Sequence, residues 1–129
     1  KELLIKKIEE CYQSALAYEK SARTLLKAIH KGGRDERGNF VLDPTLIDAM
    51  NDEVEKLEML MGLYFPKIKF NKEQYFAGPT LPIMEIAIKE KKVTEDEAIE
   101  VAYRTRDNVA SNVAAIKAIC ADLMERYRH

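Results

Sequence analysis

The chain has 129 residues, of which 47% are hydrophobic and 33% are charged, a composition typical of one soluble globular domain. Its 21 basic and 22 acidic residues give a net charge of -1, which argues against a nucleic-acid partner because duplex binders carry a basic face. No run of 18 apolar residues occurs, so we expect no membrane span. The expected compartment is the cytoplasm. The soluble region of a membrane-anchored protein is the alternative, because the chain begins at Lys1 rather than at Met.

The first predicted helix covers residues 1–31. Its main apolar residues recur at spacings of four and three, which keeps them on one helix face: Leu4, Ile8, Cys11, Ala15, Tyr18, Ala22, Leu25 and Ile29. Four further apolar residues widen this stripe to the breadth of a bundle core: Ile5, Tyr12, Leu16 and Leu26. Gly32 and Gly33 end the helix, because glycine adopts the left-handed C-cap conformation without strain.

Two further helices are predicted beyond a polar loop. Asp43 and Pro44 are typical of an N-cap and a first helical position, and they predict a second helix over residues 44–65 that Pro66 ends. Residues 66–80 form an irregular, aromatic-rich connection, in which Asn71 is placed to cap a short helical turn. A nearly apolar third helix is predicted over residues 81–91.

The last predicted helix covers residues 95–128 and begins at the capping box Thr94–Glu97. Its predicted core stripe repeats the spacing of the first helix: Ile99, Ala102, Arg106, Val109, Val113, Ile116, Cys120, Leu123 and Tyr127. Four helices with stripes of this width predict an all-α fold, a single-domain antiparallel up-down-up-down four-helix bundle. A helical hairpin that completes its core by dimerising is the other arrangement.

Few residues suit catalysis or metal binding. A di-iron bundle needs Glu-x-x-His on two helices, and neither His30 nor His129 follows a glutamate by three residues. Cys11 and Cys120 lie on apolar stripes at matching heights, where they are either a candidate thiol pair or two separate, inert core cysteines. We therefore predict that the chain is not an enzyme and that it uses no cofactor and no metal.

The middle of the last helix carries a polar patch around Arg106. The predicted stripe places Arg106 in the core, where a guanidinium is costly unless it is paired, and Asp48 or Asp52 is the expected partner. Three interpretations stay open: a structural polar network, a partner-docking surface, and a pocket for a small anion. The ligand or partner candidates in this patch are Arg104, Arg106, Asp107, Asn108 and Asn112.

The aromatic residues near the connection 66–80 have two interpretations. They form either a small satellite core at the end of the bundle or an exposed patch that contacts another protein. The interface candidates in this stretch are Phe65, Phe70, Tyr75 and Phe76.

Together these features predict a non-catalytic helical module for interaction or oligomerisation. Its partner is another protein or, as we expect, a second copy in a homodimer. The alternative function is a sensor-type four-helix bundle that binds a small ligand, such as an anion, through Arg106, Asn108 and Asn112.

Overall fold

The computed structural model describes residues 2–30, 34–37, 41–77, 82–83 and 94–128. Three long α-helices account for most of them: α1 (Glu2–His30), α2 (Pro44–Tyr64) and α3 (Glu95–Arg128). Every secondary-structure element in the described part of the chain is helical, and the helices pack against one another. The chain is therefore an all-α helical bundle, as its sequence predicts.

Helix α1 packs against both other long helices and runs antiparallel to each. Near the start of α1, the Lys7 ammonium lies 5.2 Å from the ring centroid of Tyr64, the last residue of α2. On its other side, the ring of Tyr12 lies 5.8 Å from the Lys117 ammonium in the second half of α3. The first half of α1 thus lies beside the second halves of α2 and α3.

The ends of the helices follow the capping residues that the sequence contains. The Asp43 carboxylate accepts a hydrogen bond from the backbone N–H of Thr45 at 2.9 Å, one residue into α2. The Thr94 hydroxyl accepts from the backbone N–H of Glu97 at 3.2 Å and starts α3 in the same way. Both predicted N-caps are confirmed, because each depends only on residues two or three positions apart.

The connection after α2 contains two short helical turns, a 3₁₀ turn at Pro66–Ile68 and a π turn at Glu73–Ala77. The Asn71 side chain accepts from the backbone N–H of Glu73 at 2.9 Å, which confirms its predicted capping role. The third predicted helix, residues 81–91, lies outside the described residues apart from Pro82 and Ile83, both of which are helical.

The core stripe of α1 is buried as predicted from Ile8 to Ile29. The predicted stripe of α3 is wrong at two positions, because Ala98 and Thr105 are buried in place of Ile99 and Arg106. Spacings of three and four both fit a helix of 3.6 residues per turn. Burying a threonine costs less than burying a guanidinium, so the helix is rotated to place Thr105 inside.

Among the residues that the structure describes, two buried hydroxyl groups have no hydrogen-bond partner: Ser14 Oγ on α1 and Thr105 Oγ1 on α3. An unsatisfied buried hydroxyl costs about 1–3 kcal/mol of stability. Each of these two hydroxyl groups therefore lowers the free energy of unfolding of the bundle.

We expect Thr105→Val, which keeps the side-chain shape and removes the hydroxyl, to raise the free energy of unfolding by about 1–2 kcal/mol. Urea denaturation followed by circular dichroism measures this change. Thr24→Val is the matched control, because Thr24 is exposed and its hydroxyl donates to the Lys20 carbonyl oxygen at 3.0 Å. A loss of stability in Thr105→Val would show that the hydroxyl is satisfied in the native protein.

Candidate interaction surface

A second row of side chains runs along α1 and along α3, beside each core stripe. Residues three, four or seven apart share one face of a helix. The row on α1 includes Glu9, Tyr12, Leu16, Lys20, Arg23 and Lys27, and the row on α3 includes Tyr103, Arg106, Ala110, Ala114, Lys117, Ala121 and Met124. The two rows border each other, because side chains from both line the same two grooves. We call this surface the α1–α3 face.

One groove lies where α1 begins and α3 ends. It has a volume of about 270 Å³, and most of its lining is apolar: Ile8, Glu9, Tyr12, Gln13, Cys120, Ala121 and Met124. We call it the apolar groove. Its concave shape is suited to receive an apolar side chain from outside the bundle.

A second groove lies at the other end of the α1–α3 face and has a volume of about 420 Å³. Its lining consists of Arg23, Leu26, Lys27, Ala102, Tyr103, Arg106, Asp107 and Ala110. Three of these side chains are cationic and one is anionic, so the lining carries a net formal charge of +2. We call it the basic groove.

The two arginines of the basic groove keep donors available for a ligand or partner. The Arg106 guanidinium lies 4.8 Å from the Tyr103 ring centroid, and its Nη2 atom is 3.4 Å from an Asp107 carboxylate oxygen. Arg23 forms a 3.7 Å ion pair with Glu19 of its own helix. Both guanidinium groups are largely exposed, and such surface pairs contribute about 0–1 kcal/mol. A guanidinium has five N–H donors, so one long ion pair leaves most of them for an incoming acidic group.

The position of Arg106 corrects the sequence prediction. Its side chain is 49% exposed rather than in the core, and it pairs with Asp107 rather than with Asp48 or Asp52. Thr105 occupies the buried position that the spacing assigns to Arg106. The guanidinium therefore avoids desolvation and faces the basic groove.

The other predicted candidates in this part of α3 are separated from the basic groove. Arg104, Asn108 and Asn112 are not among the described residues that line it. Arg104 forms a 3.6 Å ion pair with Glu100, and the Asn112 amide donates to the Asn108 carbonyl oxygen at 2.9 Å. Of the five predicted candidates, only Arg106 and Asp107 line the basic groove.

Among the charged and aromatic residues of the basic groove, three were not predicted as site residues: Arg23, Lys27 and Tyr103. The signal that identifies them is the row beside each core stripe, which can be read from the spacing in each helix. The spacing within one helix does not reveal which two rows become neighbours, because that depends on how the helices pack.

The aromatic candidates after α2 pack mainly against their own chain. Phe65 and Phe76 are buried, and Phe76 contacts Tyr18 of α1 edge-on with 4.4 Å between ring centroids. Phe70 and Tyr75 are half-buried and stack with 5.2 Å between centroids. This cluster packs against the main core and leaves little ring surface for a partner.

Cys11 and Cys120 are buried free thiols, and Cys120 also lines the apolar groove. Burial raises the pKa of Cys11 to about 12, and the nearby Cys120 thiol adds to this rise. Burial likewise raises the pKa of Cys120 to about 11. Both groups remain protonated near neutral pH, so they are poor nucleophiles, and pairing of the two thiols stays a prediction.

The described part of the chain has neither a metal-ligand cluster nor a membrane-spanning helix. It contains no group of three or more His, Cys, Asp or Glu side chains arranged to hold a metal ion. None of its helices combines the length and the apolar character needed to cross a bilayer.

Comparison of the chain with protein-family models, curated proteins and solved structures gave no match. The fold and the α1–α3 face therefore define a helical bundle with an accessible interhelical surface.

We expect both native cysteines to react with a disulfide reagent at pH 8 at least ~100-fold more slowly than in the unfolded chain, because their raised pKa values leave little thiolate. Absorbance of the released thiolate measures the rates with and without guanidinium chloride. Leu63→Cys supplies an exposed reference thiol that reacts quickly in the folded protein. Equal rates for native and unfolded thiols would contradict the burial of this cysteine pair.

Proposed function

We propose that this chain is a non-catalytic helical interaction module and that the α1–α3 face binds its partner. The supporting observation is the exposure of three large apolar side chains on this face: Tyr12 is 40% exposed, Leu16 39% and Tyr103 45%. Each square ångström of apolar surface that a partner covers contributes roughly 25 cal/mol. Exposed apolar side chains grouped on one surface are typical of protein–protein contacts.

The composition of the face also supports this role. Tyrosine and arginine are the residues most enriched at the centres of protein interfaces, and the face contains Tyr12, Tyr103, Arg23 and Arg106. Other exposed apolar residues, such as Met59 and Leu63 of α2, belong to neither of the two rows that border the grooves. The combination of apolar rings, cations and concave surface favours the α1–α3 face.

The shape of the face suits a helical partner. The row on α1 extends about 27 Å from Glu9 to Lys27 at 1.5 Å per residue, which is about five helical turns. The seam between α1 and α3 connects the apolar groove with the basic groove along this length. An amphipathic helix laid along such a seam places side chains in both grooves.

Photo-crosslinking tests the proposed surface. We expect a benzoylphenylalanine side chain at Leu16 to form a covalent protein adduct, and the same group at Leu63 of α2, which is 69% exposed, to form none. Gel electrophoresis and mass spectrometry detect the adduct in purified protein and in lysate of the source cells.

Excess unlabelled wild-type chain should suppress a Leu16 adduct with a different protein by competition, and it should itself be crosslinked where the partner is a second copy, whereas excess Leu16→Glu chain should do neither. Equal crosslinking from Leu16 and Leu63, or no adduct from Leu16, would contradict binding at the α1–α3 face.

The basic groove supports a second candidate function, recognition of a small anion. Its net formal charge of +2 and the exposed Arg106 guanidinium are suited to a phosphate or carboxylate group. The groove and the proposed partner surface overlap, so an anion and a protein partner would compete for Arg23 and Arg106.

Thermal unfolding with inorganic phosphate tests this second function. A ligand at ten times its dissociation constant stabilises the native state by about 1.4 kcal/mol, so we expect Tm to rise by several degrees. Arg106→Gln should abolish the rise, whereas Arg104→Gln on another side of α3 should preserve it. Sodium chloride at the same ionic strength controls for screening. An equal rise with both salts would contradict a specific anion site.

A further inference from the structure

We propose that the partner of the α1–α3 face is a second copy of this chain, docked antiparallel with its two-fold axis at Leu16, so that Glu9 of each copy meets Arg23 of the other. This assignment rests on the proposed function and adds to it the identity of the partner and the register. The observation that supports this antiparallel dimer is the order of charges along the row on α1.

In a two-fold symmetric, antiparallel helix pair, residues at equal distances on either side of the axis face each other. Glu9 precedes Leu16 by seven residues and Arg23 follows it by seven, and seven residues are two helical turns on the same face. The symmetry therefore creates two Glu9–Arg23 pairs, one on each side of the axis. Leu16, which is apolar and exposed, packs against its own copy at the centre.

The neighbouring positions are also compatible with this register. Tyr12 and Lys20 lie four residues before and after Leu16, so an aromatic ring faces an ammonium group with a long alkyl stem. Gln13 and Glu19 lie three residues from the axis, and Glu19, whose side chain is 14% exposed, pairs with Arg23 of its own helix. None of these facing pairs on α1 joins two charges of the same sign.

Charge excludes the parallel docking of the same two faces. With a two-fold axis along the helices, residues at the same height face each other, so the basic groove of one copy, with Arg23, Lys27 and Arg106, lies against the basic groove of the other. Like charges placed opposite each other across an interface are strongly unfavourable. The antiparallel register instead brings Glu9 of one copy to the cationic groove of the other.

The dimensions of the α1–α3 face indicate a small interface between the two copies. About 27 Å along α1 and about 20 Å across two helices give a footprint of roughly 540 Å² in projection, which is among the smaller specific interfaces. Small interfaces are typical of weak or transient contacts, so we expect a dissociation constant at the weak end of the known range, of the order of 10 µM. The dimer should form and dissociate within an accessible range of protein concentrations.

Charge exchange between two copies tests the register. By sedimentation equilibrium from ~1 to ~200 µM, a range that brackets the expected constant, the wild-type chain should be a monomer–dimer mixture. Glu9→Arg and Arg23→Glu should each weaken dimerisation at least ~10-fold, because each substitution creates two like-charged pairs. An equimolar mixture of the two variants should regain near wild-type affinity as a heterodimer, because every substituted side chain then meets the opposite charge.

Two controls keep the result specific. Arg104→Glu reverses a charge on another side of α3 and should leave dimerisation unchanged, and Leu16→Glu should abolish it. Circular dichroism verifies that each variant keeps the helical content of the wild type, so that a loss of dimer is not a loss of fold.

Three outcomes would overturn the proposal in whole or in part. A wild-type monomer at every concentration, together with a Leu16 crosslink to a protein of different mass, would exclude the second copy and leave the interaction module standing. Dimerisation of both single variants with wild-type affinity, or a mixture that does not regain that affinity, would exclude the Glu9–Arg23 register. A monomer with no Leu16 crosslink to any protein would contradict both proposals.

Discussion

The burial of α1 between α2 and α3 is the constraint on which the other features of this bundle depend. Its stripe from Ile8 to Ile29 is excluded from water by helices on both sides. A helix that contacts two neighbours needs apolar residues over a wide arc of its circumference. Part of that arc, at Tyr12 and Leu16, extends beyond the contact with α3 and stays accessible. The surface to which we assign function is therefore the outer margin of the same apolar arc that stabilises the fold.

The rotation of α3 is the second determinant of the surface. Placing Thr105 inside leaves a buried hydroxyl unsatisfied, but it turns Arg106 and Tyr103 outward beside α1. There they meet Arg23 and Lys27 and form a groove that neither helix has alone. An arginine in the core would require a buried partner, whereas at the rim its charge remains solvated and available for recognition.

The two functions proposed for the basic groove have the same chemical basis. Cations held on a rigid helix pair attract a carboxylate or a phosphate, whether the acidic group belongs to a second copy or to a small molecule. The row on α1 distinguishes between them, because its order of acid, apolar residue and base is complementary to itself when reversed. A small anion gains nothing from Glu9 or Leu16, whereas a second copy uses both.

The sequence by itself determined the all-α class, the bounds of the three described long helices and their caps at Asp43 and Thr94. These features depend on residues a few positions apart, so helical periodicity and local hydrogen bonding suffice to specify them. The candidate site was predicted only in part, through Arg106 and Asp107. Only the tertiary structure decided that Thr105 is buried instead of Arg106, because spacings of three and four fit one helix equally well. It also decided that the rows of α1 and α3 are neighbours, because adjacency is fixed by how whole helices pack and no single helix contains that information.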